Sequence, residues 1–273
     1  MSATQQASLP FLLFQVRAGL YAVNSRDVRE IVMLPKVVSL PDAPPEIRGV
    51  INLRGRVMHL VDLRVKLGFP SAKTEIEDLI RILTQREQDH RDWLGELESC
   101  VLEHRPFNLA RDPKLCKFGQ WYARFNTENT LLKMALRKMD EPHRLIHATA
   151  DEVLQKVDRG DQEGAMQLLV ERRARELATL SNLFEDARRT LREHHRELAV
   201  VFARGEKRFA ISIDVVEAVE RIPEENVEPI PASMLGKRET VPLRIAKRVK
   251  TNQTILLLDE EFLFSAAPAP GRN

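Results

Sequence analysis

The spacing of apolar residues changes abruptly twice along this chain of 273 residues, and no other feature restricts the fold more. Residues 11–16 and 20–23 are short apolar stretches joined by a glycine-containing turn, which is typical of a β-hairpin. Between Ser71 and Glu197 the segments lengthen, become rich in Leu, Glu, Arg and Ala, and contain few β-branched residues. Because the strand pattern resumes at Leu198, we predict an α+β protein in which a helical unit interrupts a β domain.

The two β-like flanks contain similar runs, each of which follows a hairpin. Asn24 and Ser25 can cap a short helix, and residues 27–32 resemble residues 214–221, so we predict a short helix in both places. The repeated order of hairpin, short helix and proline-containing segment predicts two similar lobes. A last strand is expected at residues 254–258.

The central segment predicts four helices. The first, at residues 74–103, places most of its apolar residues at alternating spacings of four and three, as in a helix bundle. The second covers residues 118–138, and Pro142 suits the first turn of the third. The fourth, at residues 161–195, would be about 50 Å long at 1.5 Å per residue.

Composition excludes several classes of function. With 42 basic against 40 acidic side chains, the net charge of +2 gives no broad surface for nucleic acid. The uncharged apolar runs are far shorter than the roughly 20 residues that a bilayer requires, and residues 1–10 lack the features of a secretory signal. Two cysteines cannot staple a fold of this size, so they are expected as cytosolic thiols or metal ligands. We therefore expect proteins as partners.

Three histidines fall on the predicted buried stripes of two helices. His90 lies on the stripe of the first helix, and His143 and His147 lie one turn apart on the third. Together with Cys116 they form the kind of ligand set that a tetrahedral zinc site uses. Each could instead be a core histidine with a hydrogen-bonding partner, but three buried imidazoles together favour metal. Zinc binding is expected to weaken as the pH falls through the histidine range near about 6.5.

A second ligand set is possible on the first helix, where Cys100 and His104 are also one turn apart. His90 and Cys100 are separated by about 15 Å along a helix, so they cannot share one ion unless the helix breaks. Cys100 lies one residue off the inward stripe, whereas His90 is central on it. The pattern therefore favours His90 with Cys116, and the other set stays open.

The motifs of the helical segment resemble those of the chemoreceptor zinc-binding domain. They are H-x-x-W at residues 90–93, C-x-x-G-x-W at 116–121 and H-x-x-x-H at 143–147, and the resemblance covers about residues 76–195. It implies a helical bundle in which His90, Cys116, His143 and His147 hold zinc. It also implies sensing of zinc or of oxidants such as hypochlorous acid, with Cys116 as the redox-sensing thiol.

The flanks resemble CheW, the coupling scaffold of bacterial chemotaxis. The matching sequences are IRGVINLRG at residues 47–55, LVDLR at 60–64, IDVVEAV at 213–219 and ILLLD at 255–259. This resemblance implies two small β-barrels, with the helical unit inserted where the chain passes between them. The expected domains are the following: a first CheW-like part at 1–70, the zinc-binding unit at 71–196, a second CheW-like part at 197–265 and a disordered tail at 266–273.

The CheW resemblance also implies a function without catalysis. Such a scaffold couples methyl-accepting chemoreceptors to the histidine kinase CheA, and it acts in the cytoplasm at membrane-associated receptor arrays without entering the membrane. Arg54 is the implied receptor contact and Val28 its apolar neighbour, although a turn residue and a core residue would look the same in the sequence. A homodimer through the helical unit is a further expectation.

Two other classes of function stay open. A zinc hydrolase needs an open coordination position, which Cys116 as a fourth ligand would close, and no HExxH motif is present. A helical dimerisation module with no sensing role would need only the apolar stripe of the last helix. Bound zinc, one ion per chain, would distinguish the metal site from simple dimerisation.

Overall fold

The computed structural model describes residues 8–127, 129–193, 197–230, 243–248 and 251–265. The chain divides into two compact units, residues 1–72 with 196–273, and residues 73–195. That the predicted domains fold independently stays a prediction. The predicted tail at 266–273 lies outside the described residues. None of the described helices has the length and apolar character needed to cross a membrane.

The first unit is built from two β-sheets and two short helices. One six-stranded sheet has the order β10-β11-β12-β2-β1-β9, and the other has the order β3-β7-β8-β6-β5-β4. The bounds of the described elements are β1 Ser8–Val16, β2 Gly19–Asn24, β3 Val28–Met33, β4 Val37–Val38, β5 Ile47–Leu53, β6 Arg56–Asp62, α1 Leu63–Lys66, β7 Leu198–Arg204, β8 Lys207–Ile213, β9 Val215–Pro223, β10 Val227–Pro229, β11 Leu243–Lys247, β12 Thr254–Leu258 and α8 Glu260–Ser265.

Each sheet takes strands from both flanks of the helical segment. In the first sheet β1 pairs antiparallel with β9, and β12 runs parallel to β2. In the second sheet β6 runs parallel to β8, and β3 pairs antiparallel with β7. The strands on either side of the insertion, β6 and β7, therefore belong to one sheet. The expectation that the insertion lies where the chain passes between two barrels is wrong, because it interrupts one sheet.

The described strand pairings form open sheets, so the expectation of closed barrels is also wrong in its detail. The two sheets share a core that includes the stacked rings of Phe202 and Phe209, with centroids 5.3 Å apart. Each sheet buries a further apolar cluster of its own, which contains Leu13 in the first sheet and Leu60 in the second. Each sheet therefore buries apolar residues on both of its faces.

The two predicted short helices are strands. Before the first of these strands, Ser25–Asp27 forms a single helical turn, in which the Asn24 side chain accepts a hydrogen bond from the Arg26 N–H at 3.0 Å. Val28–Met33 and Val215–Pro223 continue as β3 and β9. Both runs are rich in Val and Ile, which suit a pleated strand, and pairing with β7 and β1 satisfies their backbones.

The second unit is helical. Its elements are α2 Ala72–Leu102, α3 Lys117–Tyr122, α4 Thr130–Arg137, α5 Asp140–Asp158, α6 Gln162–Arg172, a π-helical turn Arg173–Leu177 and α7 Ala178–Glu193. The second predicted helix is in fact two, because Asn129 starts α4 by accepting the Leu132 N–H at 3.0 Å. The helices surround one apolar core, and the buried Arg188 of α7 pairs with Glu87 of α2 at 2.8 Å.

Candidate metal centre

Three helices bring the four predicted ligands together. His90 lies on α2, Cys116 caps α3, and His143 and His147 lie on α5. One ligand atom from each residue lies within 4.8 Å of the others. Cys116 Sγ is 3.2 Å from His143 Nε2 and 4.0 Å from His90 Nε2. Ligand atoms on a tetrahedral zinc are separated by about 3.3–3.8 Å, so small side-chain movements would complete the geometry.

The histidines have the chemistry of metal ligands rather than of satisfied core residues. His90, His143 and His147 expose only 2%, 7% and 1% of their surfaces. His90 Nδ1 lies 2.6 Å from the Arg86 carbonyl oxygen, so this nitrogen donates and Nε2 is left with a free lone pair. Both ring nitrogens of His147 are buried without a hydrogen bond among the described residues. The orphaned imidazole fits a metal ion at this position.

The surroundings of His147 are one backbone carbonyl and several aromatic rings. The carbonyl oxygen of Ala110 lies near the imidazole, where it favours the protonated ring, and it accepts the indole N–H of Trp93 at 2.9 Å. The Trp93 ring packs against His147 with centroids 4.8 Å apart, and Phe118 packs against His143 at 5.0 Å. Aromatic rings therefore exclude water from the histidines and leave the centre of the group as the place for a polar partner.

Gly119 holds Cys116 in place, a role that the sequence did not assign. The Gly119 N–H donates to Cys116 Sγ at 3.2 Å, so the thiol caps the first turn of α3. A Cβ atom at Gly119 would lie 2.0 Å from the Pro113 carbonyl oxygen, closer than any real contact. The C-x-x-G spacing could have indicated this role, because a side chain at the cap of a helix accepts a hydrogen bond from the N–H three residues later.

The pKa values of the group describe a site that is neutral without metal. Burial, together with the neighbouring imidazoles, lowers the pKa of His143 to about 3 and that of His147 to about 4. Burial also lowers the pKa of His90. Burial raises the pKa of the Cys116 thiol, against the smaller opposing effect of the Gly119 and Phe118 N–H groups. The imidazoles are thus ready to bind, and only the thiol must lose a proton.

We expect zinc binding to release one proton per ion, from Cys116, between about pH 6 and pH 8. Histidines with ordinary pKa values would release further protons in the lower part of this range. The raised thiol pKa means that Cys116 is protonated throughout this range, so apparent affinity should fall about tenfold for each unit by which the pH falls. The additional loss of zinc affinity that ordinary imidazoles would cause at about pH 6.5 should therefore be absent. Calorimetry in two buffers of different ionisation enthalpy counts the released protons. Release of two or more would contradict the lowered pKa values of the histidines.

The rival ligands lie outside this group. Cys100 is buried, and its thiol accepts a hydrogen bond from the Arg105 guanidinium at 2.9 Å. His104 is exposed and has the left-handed φ of 53°. Among the described residues, one group of histidine, cysteine and carboxylate side chains is arranged to hold a metal, and it contains neither of them.

The two predicted partner-binding residues have different environments. Arg54 lies in the tight turn between β5 and β6, exposes 81% of its side chain and pairs with Glu30 of β3 at 3.5 Å. Val28 is half-buried and packs against the core that the two sheets share. Arg54 thus offers an exposed charge, and Val28 contributes to packing.

Comparisons with known proteins agree with both parts of the sequence resemblance. Residues 10–92 match the CheW-like domain family, and residues 90–154 match the chemoreceptor zinc-binding domain family. The chemotaxis protein CheW of Bacillus subtilis is 33% identical over 87 residues, which are 32% of this chain and 56% of that protein. CheW of Rhizobium meliloti is 36% identical over 69 residues, which are 25% of this chain and 44% of that protein.

The solved structures similar to this chain include that of the scaffolding protein TtCheW from Thermoanaerobacter tengcongensis. It covers 94% of this chain and 93% of its own, with 14% identity and a TM-score of 0.44. The chain spans about half the length of the curated relatives it matches. The two family matches confirm the resemblance to a CheW-like domain joined to a chemoreceptor zinc-binding domain. The described residues contain a histidine and cysteine group that could hold the metal for which the second family is named.

Proposed function

We propose that this chain is a non-enzymatic chemotaxis adaptor that couples chemoreceptors to the histidine kinase CheA, and that a zinc site modulates this coupling. The observation that carries the proposal is a closed group of three histidines and one cysteine in a chain that also contains a CheW-like region. Through the CheW-like unit, the adaptor would act in the cytoplasm at receptor arrays. The named relatives are chemotaxis proteins, which favours this pathway.

His90, Cys116, His143 and His147 are proposed as the zinc ligands. Their atoms come from α2, from the cap of α3 and from α5, so one ion would join three segments of the helical unit. A fourth protein ligand closes the coordination shell, and this argues against a zinc hydrolase. Homodimerisation through the bundle is part of the proposal, favoured by Leu131 and Met134 of α4, which expose 47% and 54% of their surfaces.

Cys116 is proposed as the oxidant-sensitive ligand. Bound zinc keeps a thiol deprotonated, and a thiolate is the nucleophilic form. The thiolate sulfur takes the chlorine of hypochlorous acid and releases hydroxide, which then displaces chloride to leave a sulfenic acid. Sulfur loses two electrons and chlorine gains them. The half-buried position of Cys116 gives an oxidant a path that the fully buried Cys100 lacks.

The two cysteines provide a matched test of this proposal. With one equivalent of hypochlorous acid, zinc-loaded wild type and Cys100→Ser should both form a sulfenic acid, release zinc and change receptor-coupled CheA activity. Cys116→Ser should lose the oxidant response, because its hydroxyl does not undergo this oxidation. Mass spectrometry, a zinc dye and kinase assays on receptor arrays follow the three steps. An equal kinase response in wild type and Cys116→Ser would show that the switch is elsewhere.

Arg54 is proposed as a receptor contact. Its backbone conformation suits glycine, so the side chain can be removed without a loss of stability. Its φ of 52° is a conformation that favours glycine by about 1–2 kcal/mol over other residues. Arg54→Gly should therefore leave the free energy of unfolding unchanged or raise it, since greater freedom of the unfolded chain offsets part of this gain. Receptor affinity should nevertheless fall, by about 2 kcal/mol if Arg54 is a hot spot.

The control for Arg54 is its exposed neighbour Arg56, which lies at the start of β6. Receptor-tip binding and chemical unfolding would be measured for Arg54→Gly and Arg56→Gly. Arg56→Gly should bind as wild type does. Full binding by Arg54→Gly would remove this residue from the interface.

A further inference from the structure

A second site in the helical unit is a basic, aromatic-walled pocket beside the metal group. The pocket has a volume of about 430 Å³, within the range of cavities that hold small molecules. Its lining comes from α2, from α3 and from the segment that follows α3. The lining residues are Arg86, Lys117, Gln120, Trp121, Arg124 and Phe125.

The charge of this lining is mainly positive. Three of the six lining side chains are cations, and none is an acid. Asp89 approaches from outside the lining, with Oδ2 3.2 Å from Arg86 Nε and Oδ1 3.7 Å from Lys117 Nζ. One carboxylate against three cations leaves a surplus of positive charge. Arg86 Nε is buried against Asp89, so the terminal nitrogens of the guanidinium are the ones that would meet a ligand.

The remaining wall is aromatic. The rings of Trp121 and Phe125 are stacked, with centroids 4.6 Å apart and planes inclined by 26°, and both side chains are half-buried. A flat apolar group can pack against such a wall, while guanidinium groups offer paired N–H donors to a carboxylate or phosphate. A bare inorganic ion would use the charges and leave the wall unused.

From this combination we propose that the pocket binds a small aromatic anion, with its ring against Trp121 and Phe125 and its carboxylate or phosphate against Arg86, Lys117 and Arg124. The stacked rings and the clustered cations lie within about 430 Å³, so they match the two ends of one such molecule. The site shares no side chain with the four proposed zinc ligands. It lies next to them, because Lys117 follows Cys116 in the chain and the Arg86 carbonyl accepts the His90 N–H.

The test uses the full-length, zinc-loaded chain and calorimetric titration with simple probes. Benzoate and phenyl phosphate carry a ring and a charge, benzamide carries the ring alone, and acetate and inorganic phosphate carry the charge alone. At least one of the first two should bind with a dissociation constant near or below about 1 mM. The other three should bind at least about tenfold more weakly. The stronger of benzoate and phenyl phosphate identifies the anionic group.

The variants place the ligand in this pocket. Arg86→Gln and Arg124→Gln should each weaken binding about tenfold or more, whereas Arg159→Gln, an exposed cation outside the lining, should have no effect. Zinc content is measured in every variant, so loss of the metal site is distinguished from loss of the pocket. Absence of binding to both aromatic anions, equal binding of the ring-free anions, or full affinity in both pocket variants would overturn the proposal. None of these results bears on zinc binding or receptor coupling.

Discussion

Replacement of both α5 ligands, His143→Ala with His147→Ala, is expected to abolish stoichiometric zinc binding. Two of four ligands are lost, so the loss of affinity should exceed the roughly 10- to 100-fold that follows removal of a hydrogen-bonding partner outside the ligand shell. Because apparent binding energies of structural zinc reach about 10–16 kcal/mol in zinc-finger peptides, the helical unit should also lose much of its stability. Metal analysis and thermal unfolding of the purified chain measure both effects.

Two further variants separate the ligands from their surroundings. Cys100→Ala with His104→Ala removes the rival pair and should leave zinc at one ion per chain. Gly119→Ala keeps all four ligands but should weaken zinc binding, because its Cβ would strike the Pro113 carbonyl and displace the α3 turn that presents Cys116. Full zinc content in the double-histidine variant would refute the proposed ligand set.

The second large effect concerns the two flanks. Residues 1–70 alone are expected not to fold, because β1 and β3 would lack their partners β9 and β7. Residues 1–70 joined to 197–273 by a short Gly/Ser linker should form both sheets, since the entropy of closing a loop depends only weakly on its length. Residues 73–195 should fold separately and bind zinc. Circular dichroism and amide NMR spectra of the three proteins make the comparison.

The outcome is unambiguous for each fragment. A native-like sheet in residues 1–70 alone would show that the strands do not depend on the second flank. An aggregated product from the joined flanks would show that the β unit depends on the helical one. Either result would contradict the division of the chain into two folding units.

The metal group could be predicted because it depends on local spacing. His143 and His147 are one helical turn apart, so any helix there places them on one face, and the stripe of α2 places His90 inward. The role of Gly119 could not be predicted, because it depends on the approach of the Pro113 carbonyl from a loop. Local periodicity does not record such a contact.

The strands β3 and β9 could not be predicted from local spacing. Val28, Ile31 and Val32 have the spacing of a helix face and also the β-branched composition of a strand, so the local signal is ambiguous. Pairing with β7 selects the strand, because Val200 of β7 lies opposite Ile31 although the two residues are far apart in the sequence. The exchange of strands between flanks follows from such distant pairings, and no repeat within either flank reveals it.

The interleaved sheets impose an order on biosynthesis. Phe11 in β1 is paired with Glu220 in β9, so the ribosome must make the whole helical unit before this pair can form. Translation adds about 5–20 residues per second, whereas helices form within microseconds. All four proposed zinc ligands emerge before β7, while β1 and β3 still wait for their partners. The nascent chain can therefore complete the proposed metal site first and its two β-sheets last.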